Sequence, residues 1–393
     1  MKTTPLGNLA TVITGGTPDR GTPAYWGGSI PWIGTGAIDF NVIESPTEYL
    51  TERGLKESAA RLLSKGTLLM AMYGQGTTRG KVGILAIEAA TNQACAAIIP
   101  KEGLIESEFL FYVLEASYTR IRRLSNTGSQ ENLNSTLIRE IPVPVLTKVA
   151  RNEIVSAAKE WNVAIEKATA LLTALEQRKQ GLMQQLLNGR RRLNGFKGEW
   201  KLYRLDQLFE ERNEANHPDL PLLSITRDEG VVPREATGRK DTSNEDKSAY
   251  LRICPGDIGY NTMRMWQGVS ALSSLEGIIS PAYTVCVPNE RSNSRFMAHL
   301  FKLPQVVNLF YRYSQGLTSD TWNLKFRHFS EVKVEVPTPD EQKAIAEVLD
   351  TQHAELLVLR CQLSQLNTQK RALMQKLLSG NWRMPKTALL KEF

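Results

Sequence analysis

The chain has 393 residues, 48 basic against 41 acidic side chains, and four cysteines. At roughly 100–200 residues per domain, that length predicts two domains or two domains plus a connector. No apolar run reaches the roughly 18 residues of a membrane span, the start Met1-Lys2-Thr3-Thr4-Pro5 is not apolar, and Cys95, Cys254, Cys286 and Cys361 form no CxxC pair. The expectation is a reduced, soluble, cytoplasmic protein without secretory leader, disulfide framework or zinc knuckle.

Taken in chain order, residues 1–147 carry 13 basic and 13 acidic side chains, and 201–338 carry 17 of each. The positive excess lies in 148–200, with ten against five, and beyond 338, with eight against six. Contact with nucleic acid must therefore come from local clusters, because neither large segment has a global positive field. The first segment shows short β-like runs divided by Gly and Pro, such as 82–87. A helical stretch at 108–124 and a polar loop follow. The segment from 198 repeats this order, with a β-like run at 283–287 and a helical stretch at 295–313.

After each segment comes a long amphipathic stretch. Ile154, Ala158, Trp161, Ile165, Ala168, Leu172, Leu175, Lys179, Leu182 and Leu186 alternate in steps of four and three. Adding 191 gives Ile345, Leu349, Gln352, Leu356, Leu359, Leu363, Leu366, Lys370, Leu373 and Leu377. The shared heptad register predicts two long helices with an a/d seam. Eight of 17 positions are identical between 177–193 and 368–384, where average composition predicts about one. Gly189 and Gly380 follow as C-terminal stops, and Pro142, Pro144, Pro337 and Pro339 precede the helices.

The predicted order is globule, helix, globule, helix: 1–146, 147–197, 198–338 and 339–393. If the helices pack on one another they must run antiparallel, as coiled-coil arms that relate two α/β (α+β) globules, with small mixed or antiparallel sheets, by a pseudo-twofold. A seam of 33 residues, 154 to 186, spans roughly 50 Å, or about 15 base pairs of duplex. Two diverged readers at fixed separation suit a split, asymmetric target.

With these features in view the sequence resembles the specificity subunit of type I restriction-modification systems. The resemblance rests on Gly15-Gly16-Thr17-Pro18, Tyr25-Trp26-Gly27-Gly28, Ile30-Pro31-Trp32-Ile33-Gly34, Lys65-Gly66-Thr67-Leu68-Leu69 and Gly80-Lys81-Val82-Gly83-Ile84. It rests equally on the duplicated helix ends, LMQQLLNG and LMQKLLSG. The second globule lacks the GGTP and YWGG runs. What the resemblance implies is a noncatalytic reader of double-stranded DNA with one target recognition domain per half-site. It would recruit adenine methyltransferase subunits, two of them, and ATP-dependent restriction subunits. S-adenosylmethionine, ATP and Mg would be held by those partners, and no cofactor by this chain.

Candidate contact residues follow from their chemistry. The glycine-rich turn 73–81 offers Gln75 and Thr77 for base edges, with Arg79 and Lys81 for phosphate or guanine. Arg122 precedes a polar loop that holds Ser129, Gln130 and Asn132. In the second globule Asn261, Arg264 and Gln267 occupy the equivalent turn, and Ser314, Gln315, Ser319 and Lys325 the equivalent loop. Trp266 and Trp322 are expected to pack. Leu182, Met183, Leu186, Leu373, Met374 and Leu377, at the duplicated helix ends, serve either a core or a partner.

Two other functions compete. Asp219, Glu245 and Lys247 form a loose pattern that could hold Mg²⁺ and cleave a phosphodiester, or stand in a solvated loop. A protein-only coiled-coil adaptor is the other. The four histidines show no ligand or triad spacing, so the expectation is no metal site and no catalytic residue.

Overall fold

The computed structural model describes residues 2–74, 76–124, 132–226, 230–238, 246–318, 320–380 and 382. The chain forms two compact units, Met1–Ala168 with Gln362–Phe393, and Thr169–Cys361. Both are mixed α+β, and each contains a stretch of both long helices, Lys148–Leu186 (39 residues) and Pro339–Ser379 (41 residues).

In the first unit the main sheet runs, edge to edge, through Ala10–Thr14, Cys95–Pro100, Leu68–Ala71, Val82–Leu85 and Val42–Ile43. The first four pair antiparallel, and the last joins parallel. A smaller sheet joins Glu48–Leu50, Trp26–Ile33 and Ala90–Thr91. The second unit repeats the first four places with Phe209–Glu211, Tyr283–Pro288, Ile258–Asn261 and Ser270–Leu272. A two-stranded ribbon closes each globule, Thr3–Pro5 against Pro142–Pro144 and Lys201–Arg204 against Lys333–Val336. The internal duplication therefore reaches strand order, well beyond the helices where it was readable.

Burial along the long helices follows the predicted register. Every seam position from 154 to 186 and from 345 to 377 is buried or half-buried, including Lys179 and Lys370. In the second unit Glu176 pairs with Arg360 (2.6 Å) and Arg178 with Glu355 (2.7 Å), so rising numbers on one helix meet falling numbers on the other. That makes the pair antiparallel there. Gly189 and Gly380 adopt φ of +69° and +73° just past the helix ends, where a β-carbon would be strained.

The two helical stretches read as continuous are each broken. In the first unit Ser107–Ala116 and Tyr118–Arg122 are separate. In the second, Ser294–Leu300 ends before Pro304–Tyr313 begins. Pro304 has no N–H to donate, so it starts a helix and cannot continue one.

Each core joins the sheet to the long helices. Phe109, Leu110 and Ile121 pack with Ile154, Ala158, Met374 and Leu377 in the first unit. In the second, Phe209, Tyr260, Phe301, Phe310 and Phe329 pack with Leu186, Ile345 and Leu349. Each such side chain contributes about 1.5–3 kcal/mol by leaving water. Each glycine pair that carried the family resemblance holds a close-packing position. A β-carbon on Gly15 would lie 2.2 Å from the Thr91 carbonyl oxygen, and one on Gly28 would lie 2.4 Å from that of Leu50. Neither position tolerates a side chain.

Candidate nucleic-acid interface

The first unit presents a turn between the strands Leu68–Ala71 and Val82–Leu85. Gly80 N–H donates to the Ala71 carbonyl (2.8 Å) and Ala71 N–H to that of Lys81 (3.0 Å), which closes the hairpin base. The turn is then stitched onto the helix Tyr118–Arg122. Arg122 donates to the Gly76 carbonyl (2.7 Å), Arg79 to the Arg122 carbonyl (2.9 Å), and the Tyr118 hydroxyl to the Thr77 carbonyl. Phe40 packs edge-on against Tyr118 at 5.0 Å. Lys81 pairs with Asp39 at 2.6 Å.

These contacts redistribute the roles expected from sequence. Arg79 is only 6% exposed, so its guanidinium fixes the turn and does not project from it. Arg122 acts in the same way, half-buried against the turn. Thr77 is exposed and Lys81 and Asn132 are half-buried. Gln75, Ser129 and Gln130 lie outside the described residues. Tyr73, which sequence reasoning passed over, is 43% exposed at the start of the turn. Tyr118 was also missed. Its position four residues before Arg122 was the available signal, since that spacing shares one helix face.

The second unit builds the same surface with other side chains. The turn after Ile258–Asn261 is closed by Asn261 N–H donating to the Val269 carbonyl (3.1 Å). Asn261 Oδ1 accepts from the Met263 N–H (3.0 Å), and Trp266 donates to the Met263 carbonyl (3.0 Å). Trp266 and Trp322 meet edge-on at 5.1 Å, and Tyr311 meets Trp322 at 4.9 Å. The tryptophans pack, as expected from sequence. Arg264, Gln267, Gln315 and Lys325 are exposed around this aromatic joint. Ser314 is half-buried and its hydroxyl donates to the Phe310 carbonyl (2.7 Å). Ser319 lies outside the described residues. Leu317 is fully exposed beside Gln315.

One backbone bond ties both arrangements to the duplication. Leu133 N–H donates to the Met72 carbonyl (3.0 Å), and Leu324, 191 residues on, donates to that of Thr262 (2.8 Å). In each unit it joins the turn to the residues after the polar loop. The short helices that follow, Ser135–Arg139 and Phe326–Phe329, keep the same offset.

The residues left between a core role and a partner role are core residues. Leu186, Met374 and Leu377 are 1%, 3% and 4% exposed, and Leu182, Met183 and Leu373 pack on the same clusters. Much of their apolar surface is spent inside their own units. Arg192 is likewise engaged, paired with the buried Glu341 carboxylate at 2.6 Å. Of the nuclease pattern, Asp219 is exposed and Lys247 half-buried against Tyr250, while Glu245 lies outside the described residues. Among the described residues no cluster of three or more His, Cys, Asp or Glu could hold a metal, and no helix is long and apolar enough to cross a membrane.

Comparison with known proteins finds a likeness for the first unit. Residues 1–168 match the model of the type I restriction modification DNA specificity domain. The chain is 28% identical over 167 residues to the MjaIX specificity subunit of Methanocaldococcus jannaschii, covering 40% of this chain and 37% of that one. It is 22% identical over 170 residues to the EcoR124I/EcoR124II specificity subunit of Escherichia coli, covering 42% and 41%. The matched stretch thus spans about two fifths of either relative. In fold the likeness extends along nearly the whole chain. The type I restriction-modification S subunit of M. genitalium matches with a TM-score of 0.56 at 14% identity, over 96% of each chain. A structure describing complex assembly of a type I R-M system matches with a TM-score of 0.63 at 16% identity, over 97% and 98%.

Proposed function

We propose that this chain is the noncatalytic DNA specificity subunit of a type I restriction-modification complex, working in the cytoplasm. Each unit grips one half of a bipartite, asymmetric double-stranded site. The proposal takes the target recognition segments as 1–146 and 198–338, with the helical segments 147–197 and 339–393 as a spacer that sets the gap between half-sites. Adenine methyltransferase subunits, probed as a pair, and ATP-dependent restriction subunits are recruited. They hold S-adenosylmethionine, ATP and Mg, and this chain holds none.

The observation that carries this reading is the repeated turn, joined in each unit by a corresponding backbone bond. Two diverged segments rebuild the same backbone joint and surround it with unlike polar and basic side chains. That is what two half-site readers of different sequence require. In the first unit Thr77, Lys81 and Asn132 are the contact candidates, with Gln75, Ser129 and Gln130 beside them in sequence. In the second they are Asn261, Arg264, Gln267, Gln315 and Lys325, with Ser314 and Ser319. Basic groups anchor phosphates, and amides and hydroxyls read base edges at about 1–3 kcal/mol per good bidentate contact. Arg79 and Arg122 act as positioning residues that hold the turn.

The test is to co-express the chain with a companion methyltransferase and map methylated adenines genome-wide. A split motif with a constant gap is the expected result. Exchange of 1–146 for the matching segment of a relative should alter one half of the motif and leave the other. Absence of sequence-specific methylation would overturn the reading. Nicking by the isolated chain, lost in Glu245→Ala, would favour the Mg-dependent nuclease that uses Asp219, Glu245 and Lys247.

A further inference from the structure

The contacts between the globular part of each unit and its long helices can be matched one by one. The helix Ser107–Ala116 corresponds to Ser294–Leu300 at an offset of 187, while the long helices keep 191. Glu106 accepts from Arg151 (2.6 Å), and at the matching positions Asn293 N–H donates to the Gln342 side chain (2.7 Å). Glu108 pairs with Lys159 (2.6 Å), and the matching Arg295 pairs with Asp350 (3.1 Å), the charges exchanged. In both cases a complement replaces a complement.

The third contact breaks that pattern. In the first unit Glu115 pairs with Lys370 at 2.8 Å, mostly shielded from solvent. The matching residues of the second unit are Lys302 and Lys179, two cations. Lys302 turns to the backbone and donates to the Gly268 (2.7 Å) and Ser270 carbonyls. Lys179 lies 3.1 Å from His353 Nδ1, and among the described residues no carboxylate is within ion-pair reach of it. Both lysines line one cavity of about 1330 Å³, together with His299, His353 and Arg360. Among the described residues the acids on its wall are already engaged: Glu176 by Arg360 (2.6 Å), and Asp350 by Arg295 (3.1 Å) and His299 (2.7 Å). Burial and the neighbouring Arg360 charge hold the Lys179 ammonium below its ordinary pKa, against the opposing pull of the Asp350 carboxylate.

We infer that this cavity of the second unit binds a carboxylate from outside the unit, in the place that Glu115 fills in the first. The group accepts from Lys179 and is drawn in by the surrounding cations, as a charge-assisted bond requires. A carboxylate can come from an acidic side chain of another protein or from a free organic acid. Because Lys302 also holds the Gly268 carbonyl, at the end of the turn that carries Arg264 and Gln267, the cavity backs directly onto the reading surface.

The test uses the full chain without DNA, so its outcome is independent of the DNA-reading proposal. Binding of an acetylated tetraglutamate amide, a tetraglutamine control, glutarate and inorganic phosphate is measured by calorimetry and by the His299 and His353 imidazole resonances. Saturable binding of tetraglutamate but not tetraglutamine is expected, with both imidazoles shifting toward the protonated form. Lys179→Met should weaken it by about tenfold or more. Lys302→Glu, which rebuilds the internal pair of the first unit, should abolish it. If Lys302→Glu fails to fold, Lys179→Met decides alone, since Lys179 is only half-buried. Binding of glutarate alone assigns the site to a free acid. No binding, equal displacement by phosphate, or full binding by Lys179→Met overturns the inference.

Discussion

The turns of the two units share one main-chain bond and are otherwise held by different chemistry. In the first, the turn is held by guanidinium and hydroxyl groups donating to its carbonyls: Arg122 to Gly76, Tyr118 to Thr77. In the second it is held by an aromatic joint of Trp266, Trp322 and Tyr311. The shared element is a main-chain bond, Leu133 to Met72 and Leu324 to Thr262. Main-chain bonds survive side-chain replacement, so a duplicated segment can exchange everything around such a bond and keep its turn. The fixed part is therefore the position of the turn, and the side chains around it are free to diverge.

The largest test of that comparison is in the cores. Phe329 sits at the centre of the aromatic cluster of the second unit, 191 residues after Ile138. Phe329→Ala should cost about 3–5 kcal/mol. In urea, amide protection in the second unit should be lost first while that in the first persists. A single unchanged transition for both would show the units are not independent.

The turns themselves come next. Arg79→Met removes a buried donor and leaves the Arg122 carbonyl less well satisfied, at about 1–3 kcal/mol. Trp322→Ala should cost a similar amount by loss of packing. The two differ in salt response, since only the first involves a charge. Equal sensitivity to 1 M NaCl of both losses would refute the contrast.

A smaller effect separates the units by pH. His299 is buried, and that burial holds its pKa below the ordinary 6.5 despite the Asp350 carboxylate at 2.7 Å. Lys179 and Arg295 press in the same direction, and His353, also lowered, faces it across the cavity. A folded-state value below the unfolded one means that stability is fully present above pH 6.5 and declines as pH falls through 6.5 toward the folded value. The matching residue of the first unit is Tyr112, pushed up to about 12 by burial, which is silent in that range. Acidification from pH 7 to 5 should loosen the second unit more than the first. His299→Gln should remove much of the difference, as read by amide exchange.

The finest effect is on binding. Lys325→Ala, at an exposed position, should lower DNA affinity almost uniformly across sequences and reduce the salt slope by about one. Arg264→Ala should instead relax specificity at a base of the second half-site. An unchanged slope in Lys325→Ala removes it from the interface.

Much of this architecture was legible in the residues. The seam, its lysine interruptions and the glycine stops were readable because helices impose a fixed period that substitution preserves. Strand order was not, because the globular segments diverged to isolated matches such as Leu133 and Leu324. The helix breaks at Ser117 and before Pro304 were missed because both flanks keep helical periodicity. Arg79 was misjudged because an arginine in a glycine-rich turn looks exposed until a neighbouring helix covers it. The Lys302–Glu115 inversion stayed hidden for a numerical reason. The globular helices match at 187 and the long helices at 191, so a search at one offset never aligns the pair.

The first unit draws its final turns of long helix from the far end of the sequence, and this bears on synthesis. The second unit is complete once residue 361 has emerged from the ribosome, whereas the first awaits residues 362–380. Met374 and Leu377 are buried in its core. The half translated earliest is thus finished latest, and until then its apolar floor stays open to chaperones and proteases. A stop codon after 361 should spare the second unit and leave the first with a gap.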